Sequence, residues 1–316
     1  MKCRVLILAI VLVATACGRK TGPVQQDTLP FPRVDVPGII SDPAGKAEYL
    51  VKNYWNAFFA VTGPTDSGRY NGVARMEVEE AVATYIAMMD GMDKDFCSNA
   101  VAGLFRQIEE KQAEDTTNHI FPALTELIIK YLYDPNSPFR DEDLYLPFAS
   151  GMAGSQYTPE DARPGFEFEE RMCAMNRYGT EAPDFSFTDS KGCRRNLHDI
   201  KADNILLFFS NPGCSACKDI IEALEDIRGI HSLISEGRLA VVDIYIDNEL
   251  DKWREHIGDY PSDWTVGYDH KFIIREDVLY NVRAIPSLYM LDSQKRIVLK
   301  DAPVEKVEKY IMTNIK

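Results

Sequence analysis

Two cysteines separated by two residues, Cys214-Ser215-Ala216-Cys217, follow directly on an apolar run, Asn204–Ser210, and open a stretch with helical spacing, Ala216–Ile227. The unbroken run suits a buried central strand, and the stretch after it suits a helix. A cysteine at that junction faces the unpaired N–H groups of a helix N-terminus and the positive end of its dipole, which favour the thiolate. Its partner three residues on lies one turn inside the helix, close enough for a disulfide. Such a pair suits thiol–disulfide exchange. Cys214 would attack from outside, and the shielded Cys217 would resolve the mixed disulfide.

Other chemistries compete for the pair. Zinc wants two further Cys or His ligands at short spacing, and the five histidines (His119, His198, His231, His256, His270) are scattered. Copper(I), a soft ion, could be held by two thiolates alone. A purely structural bridge across two residues would constrain the unfolded chain little. Exchange is the favoured reading, with no metal and no organic cofactor. Cys97, Cys173 and Cys193 permit one disulfide and one leftover, in three arrangements. Cys97, on an apolar helical stripe, reads as a buried thiol or a partner of Cys173. Cys193, in a polar hairpin, reads as incidental or as a third redox thiol passing electrons to Cys214.

The elements that must position the pair alternate in type. Strands are expected at Pro183–Thr188, Asn204–Ser210 and Leu239–Ile246, and a hairpin joins Ser287–Leu291 to Arg296–Lys300 around Asp292-Ser293-Gln294. Helices are expected at Ala216–Ile227, Glu249–Ile257 and Val304–Ile315, which makes a sheet covered by helices. Ile285-Pro286 stands just before a strand, where a proline lacks an N–H and marks a constrained turn.

A CxxC pair followed by such a proline resembles the thioredoxin superfamily. Ala182-Pro183-Asp184-Phe185, the hairpin Asp189–Arg194 and the run Phe208-Phe209-Ser210-Asn211-Pro212-Gly213-Cys214 are similar to the exported TlpA-like thioredoxins, over roughly residues 179–316. The resemblance implies a thioredoxin-like α/β domain with Pro286 cis beside the active pair. It also implies a substrate groove at Pro212, Gly213 and Ile285, where the Ile285 backbone pairs with a protein or peptide substrate as an added strand.

Several residues depart from that pattern. Phe208 stands where thioredoxin has a buried Asp, and Gly213 replaces the usual Trp. Ile220 stands where some TlpA-like reductases carry a Glu, and Glu222 replaces a helix-kinking proline. Neither familiar proton acceptor for Cys217 is present, which leaves Asp219 or Glu222 as substitutes. Ser215-Ala216 lacks the histidine of strongly oxidising members, and Ile285 matches reducing ones. That favours a reductase fed by a membrane-embedded electron donor.

The first half has another period. Leu50, Tyr54 and Phe58 repeat at helical spacing, as do Val78, Val82, Tyr85 and Met89, then Cys97, Val101, Leu104 and Ile108, then Ile120, Leu124, Leu127 and Tyr131. With no convincing strand, residues 44–178 read as an all-α domain, and 179–316 as the α/β domain. Tyr131-Leu132-Tyr133-Asp134-Pro135-Asn136-Ser137-Pro138, followed by Glu142-Asp143-Leu144-Tyr145, resembles a helical domain of unknown function. That domain precedes thioredoxin-like domains in exported lipoproteins of gut anaerobes.

Ahead of it, Lys2 and Arg4, the apolar run Val5–Ala14 and small residues up to Cys17 form an export signal over residues 1–16. Ala14-Thr15-Ala16-Cys17 resembles a lipoprotein box, which makes Cys17 the lipidation site, with a plain secretory signal as the alternative. Residues 17–43, rich in Pro and Gly, read as a tether. Acids outnumber bases 49 to 35, which removes the electrostatic drive for nucleic-acid binding. Cleavage takes Lys2 and Arg4 and no acid, so the mature chain would stand off anionic lipid and meet the membrane only through its anchor. The expectation is an extracytoplasmic, periplasm-facing lipoprotein of a Gram-negative bacterium acting on protein thiols and disulfides. The alternative is a binding module whose helical half recognises a partner while the thioredoxin-like half is scaffold.

Overall fold

The computed structural model describes residues 28–117 and 119–315. The expected signal segment 1–16, Cys17 and the tether up to residue 27 lie outside the described residues. No helix of the described residues is long and apolar enough to cross a membrane.

Helix signals in the sequence account for most of the first half. Asp42 caps α1 (Pro43–Asn53) by accepting from the Gly45 N–H at 2.6 Å, and Pro43 loses nothing in the first turn. After α2 (Asn56–Ala60), β1 (Arg69–Tyr70) pairs antiparallel with β2 (Val73–Ala74) across Asn71 and Gly72. Both turn residues have positive φ, 50° and 81°, as a tight Asn-Gly hairpin turn requires. This small hairpin of two-residue strands is an addition to a first half that is helical as expected. Then follow α3 (Arg75–Met88), α4 (Lys94–Glu114), α5 (Ile120–Ile128) with one π turn at Ile129–Tyr133, α6 (Glu142–Gly154) and α7 (Arg163–Cys173). Their stripes meet in one core that includes Phe58, Tyr85, Ile108, Leu124, Tyr145 and Phe148.

The tether is shorter than expected. Leu29 N–H donates to the Gly72 carbonyl at 2.8 Å, and the Phe31 ring lies 5.4–5.6 Å from Tyr54, Trp55 and Phe58. A stretch without periodicity is held here by one aromatic anchor, and periodicity cannot register a single anchor.

The second half runs β3 (Ser186–Asp189), β4 (Arg194–Asn196), β5 (Asn204–Ser210), α8 (Ser215–Glu225), α9 (Ile230–Ser235), β6 (Leu239–Tyr245), α10 (Leu250–His256), β7 (Thr265–Tyr268), α11 (Ile273–Glu276), β8 (Ser287–Leu291), β9 (Ile297–Leu299) and α12 (Val304–Asn314). The sheet has the order β4-β3-β7-β6-β5-β8-β9, with β5, β6 and β7 parallel and β8 antiparallel to β5. β5 is apolar throughout because both its faces are covered. Leu206 and Phe208 join one core cluster, and Ile205, Leu207 and Phe209 join the other. Strand β7 was not anticipated, because Gly267 breaks its pattern. A Cβ there would sit 2.6 Å from the Phe187 ring, so the glycine permits the close approach of β3.

Candidate active site

The pair sits where β5 ends. Asn211-Pro212-Gly213 turns the chain into α8, and Gly213 takes φ +71°, a conformation that a residue with a side chain would adopt only under strain. Cys214 caps α8, its Sγ accepting the Cys217 N–H at 3.2 Å. Cys214 is half-buried, whereas Cys217 is 2% exposed. Both are free thiols. Burial pushes the Cys217 thiol far above its ordinary range, and its hydrogen bond with Cys214 adds to that. The two sulfurs therefore differ as exchange requires, one accessible at a helix N-terminus and the other kept protonated inside.

The sheet register brings the proline loop to the same place. Phe209 pairs with Ser287, so Ile285-Pro286 lies at the end of β5 from which the Cys214 loop departs. The Ile285–Pro286 peptide is cis. Ile285 and Cys214 both pack on the cluster that contains Cys217. The Cys214 loop is further tied to the end of β6 by Asn211, whose side-chain amide donates to Asp247 at 3.1 Å.

The remaining cysteines do not join the site. Cys97 and Cys173 are free and buried rather than paired, with Cys97 Sγ directed at the Met89 carbonyl and Cys173 beside Glu142 and Lys300. Cys193 is exposed on the β3–β4 turn, and β7 and β6 separate its hairpin from β5, so the thiol expected to pass electrons to Cys214 lies away from the site. Among the described residues, no group of three or more His, Cys, Asp or Glu side chains could hold a metal ion.

Asp219 and Glu222 are exposed, and Glu222 makes only a solvated pair with Lys218 at 3.6 Å. Neither is the missing acid. The acid near Cys217 is Asp243, in the middle of β6, the register partner of Phe208. It shares its face with Val241 and Tyr245, which pack in the cluster around Cys217. Asp243 is fully buried, and neither carboxyl oxygen has a hydrogen-bond partner among the described residues. The Ser210 hydroxyl lies near it but is engaged with the Tyr260 hydroxyl at 2.7 Å. Burial pushes the Asp243 carboxyl from its ordinary 3.8 up to about 8, with Ser210 opposing only in part. One signal could have found it: a lone acid inside the otherwise apolar run Leu239–Ile246.

Sequence reasoning also missed how the helical half grips the proline loop. Arg283, three residues before Pro286, stacks on Tyr133 at 4.3 Å and pairs with Glu142 at 2.5 Å and with Asp301 at 2.9 Å. Asp301 accepts from the Ser287 hydroxyl at 2.8 Å, and Glu142 pairs with Lys300 at 2.7 Å. Glu142 also accepts from the Asn281 amide at 2.8 Å. Tyr133 and Glu142 belong to the two motifs that gave the helical half its resemblance.

A mixed sheet with helices on both faces, a CxxC pair at the start of a helix and a proline loop beside it define a thioredoxin-like protein. Residues 178–300 match the AhpC/TSA family, and residues 14–163 match a domain of unknown function, DUF5106. The chain is 36% identical to a thioredoxin-like protein of Bacteroides caccae of known crystal structure, with a TM-score of 0.74 over 90% of this chain and 98% of that one. It is 43% identical to the C-terminal domain of an uncharacterized Bacteroides fragilis protein, over 44% of this chain and 99% of that one, with a TM-score of 0.42. It is also 28% identical over 119 residues to the thioredoxin-like protein YneN of Bacillus subtilis, spanning 37% of this chain and 66% of that relative. The chain belongs to the thioredoxin-like proteins, with an AhpC/TSA-family domain following a DUF5106 domain.

Proposed function

We propose that the protein is a thiol–disulfide oxidoreductase of reductase type, acting on protein or peptide disulfides through Cys214 and Cys217. The observation that supports this best is the asymmetric pair itself, a half-exposed Cys214 at the N-cap of α8 and a buried Cys217 one turn inside it. Cys214 Sγ attacks a substrate disulfide, bonding one substrate sulfur while the other leaves as a thiolate. Cys217 then attacks Cys214 Sγ. The enzyme disulfide forms and the second substrate sulfur departs, so two electrons pass from the dithiol to the substrate. Pro286, Ile285, Pro212 and Gly213 form the substrate groove, with the Ile285 backbone pairing an extended peptide. The exchange draws on no organic cofactor. In this reading the chain is exported, anchored through Cys17, and re-reduced by a membrane-embedded donor.

Cys214→Ser tests the enzyme against the binding-module reading. Turnover of a peptide disulfide with dithiothreitol as donor should fall to background, while a module that works by binding would lose nothing. Undiminished turnover in Cys214→Ser overturns the proposal. A reductase should also show a potential near about −270 mV, and a value near about −120 mV would instead mark an oxidant.

A further inference from the structure

We infer that Asp243 is the internal proton acceptor for Cys217, supplied from the strand beside the one that leads to the cysteines. This rests on the exchange reading above and adds to it the group that lets the buried sulfur react. β5 offers only Phe208 at the register position, so α8 and β5 bring no buried acid to Cys217. β6 supplies one directly opposite Phe208, on the face that carries Val241 and Tyr245 against the Cys217 cluster.

The surroundings of Asp243 fit proton transfer better than architecture. A buried carboxyl that serves structure is paired with a cation or accepts several hydrogen bonds. Asp243 has no ion-pair partner among the described residues, and both its oxygens are unpartnered. The groups facing it are Cys217 from α8 with Cys214 at its cap, Ser210 from β5, Tyr260 from the segment after α10, and the apolar Val266 from β7. None is a cation. The titratable ones, Cys214, Cys217 and Tyr260, are neutral acids in the resting reduced protein or, for Cys214, the attacking sulfur.

The step balances without any further reagent. In the mixed disulfide the Cys217 S–H bond breaks and its proton passes to Asp243 in its ionised form, a minor share at neutral pH that grows toward pH 8. The freed sulfur bonds to Cys214 Sγ as the bond from Cys214 to the substrate sulfur breaks, and the substrate leaves with that electron pair. When the donor reopens the pair, Cys217 departs as a thiolate and takes the proton back. The proton shuttles between two buried groups, so the closed interior need not admit water during the step.

In a Cys193→Ser chain, which lacks the other exposed thiol, a single-turnover reaction with dithiobis(nitrobenzoate) reads the two steps separately. The first thionitrobenzoate released reports attack by Cys214, and the second reports attack by Cys217. In Asp243→Asn the second release should slow by about tenfold or more at neutral pH and lose its pH inflection, while the first changes by less than about twofold. Asp243→Glu should keep the inflection. Wild-type protein with isotope-labelled aspartate provides a readout that does not depend on a variant: the infrared band of one buried carboxyl should shift when Cys214 and Cys217 oxidise. An unchanged second release in Asp243→Asn, or no band that responds to oxidation, overturns the inference and leaves the exchange reading standing. A Cys193→Ser chain with Asp243 intact that releases only one equivalent overturns the exchange reading, and the inference with it.

Discussion

Glu142 and Asp243 are both sealed inside this protein, and their surroundings are opposite. Glu142 lies between Lys300 at 2.7 Å and Arg283 at 2.5 Å and accepts from Asn281. Burial works to raise its pKa, and the two cations oppose that. Asp243 is buried as deeply and has neither cation nor hydrogen bond among the described residues. The first arrangement holds a charge in place and with it a contact between the two halves of the chain. The second holds a carboxyl whose charge no neighbour fixes, so that it can take up a proton and give it back. Burial alone does not mark a working acid; burial without partners does.

The largest effect should come from breaking the paired site. Arg283→Leu leaves Glu142 and Asp301 enclosed without their guanidinium and removes the stack on Tyr133. Removing one member of a buried pair typically costs about 3–5 kcal/mol, because the remaining charge stays desolvated. Urea unfolding of the variant should show a loss of that size. A loss below about 1 kcal/mol would mean that the cluster is a surface-like pair and the contrast with Asp243 is false.

Asp243→Asn should do the reverse, and pH is the way to see it. The folded carboxyl releases its proton near pH 8, and in the unfolded chain it does so near its ordinary 3.8. Between those values the folded state holds a proton that the unfolded state has lost. The contribution of Asp243 is therefore whole below about pH 4, declines as pH rises through the window, and reaches its floor above about pH 8. Asn cannot ionise, so the variant should lack this decline and exceed wild type at pH 8 by on the order of 1–3 kcal/mol. Tm measured from acid to mildly alkaline pH checks it. Equal slopes in the two proteins would show that Asp243 is already ionised in the fold. A gain in stability alongside a slower second step would identify Asp243 as a residue kept for chemistry at the expense of stability.

The sequence was legible wherever one residue type or one period carries the information. Cys214, Cys217 and Pro286 are such residues, and the apolar run of β5 and the helical stripes are such periods. What was hidden depends on pairing. The position of Phe208 seemed to remove the buried acid, but the parallel register of β5 and β6 sets Asp243 beside it, and no spacing along the chain encodes a neighbour 35 positions away. Arg283 and Glu142 are likewise ordinary charges in sequence, and only the packing of α6 against the proline loop makes them a buried pair. Phe31 was read as tether because a lone anchor has no period.

The smallest effects should separate the five cysteines of the described residues. Cys193 is exposed and Cys214 half-exposed, while Cys97, Cys173 and Cys217 are enclosed. Burial raises the last three thiols, Cys97 up to about 11, so each is both shielded and protonated. Alkylation of the folded, reduced protein should therefore modify Cys193 and Cys214 promptly and reach the other three only on unfolding, as peptide mapping would show. Cys193→Ser should change stability by less than about 0.5 kcal/mol and leave turnover intact, as expected of an exposed residue without partners in the core. Lost turnover in that variant would make Cys193 a redox thiol, despite the two strands between its hairpin and β5. Prompt modification of Cys217 would be more damaging. It would mean that the inner sulfur is open to water, and a thiol open to water has no need of a buried acceptor such as Asp243.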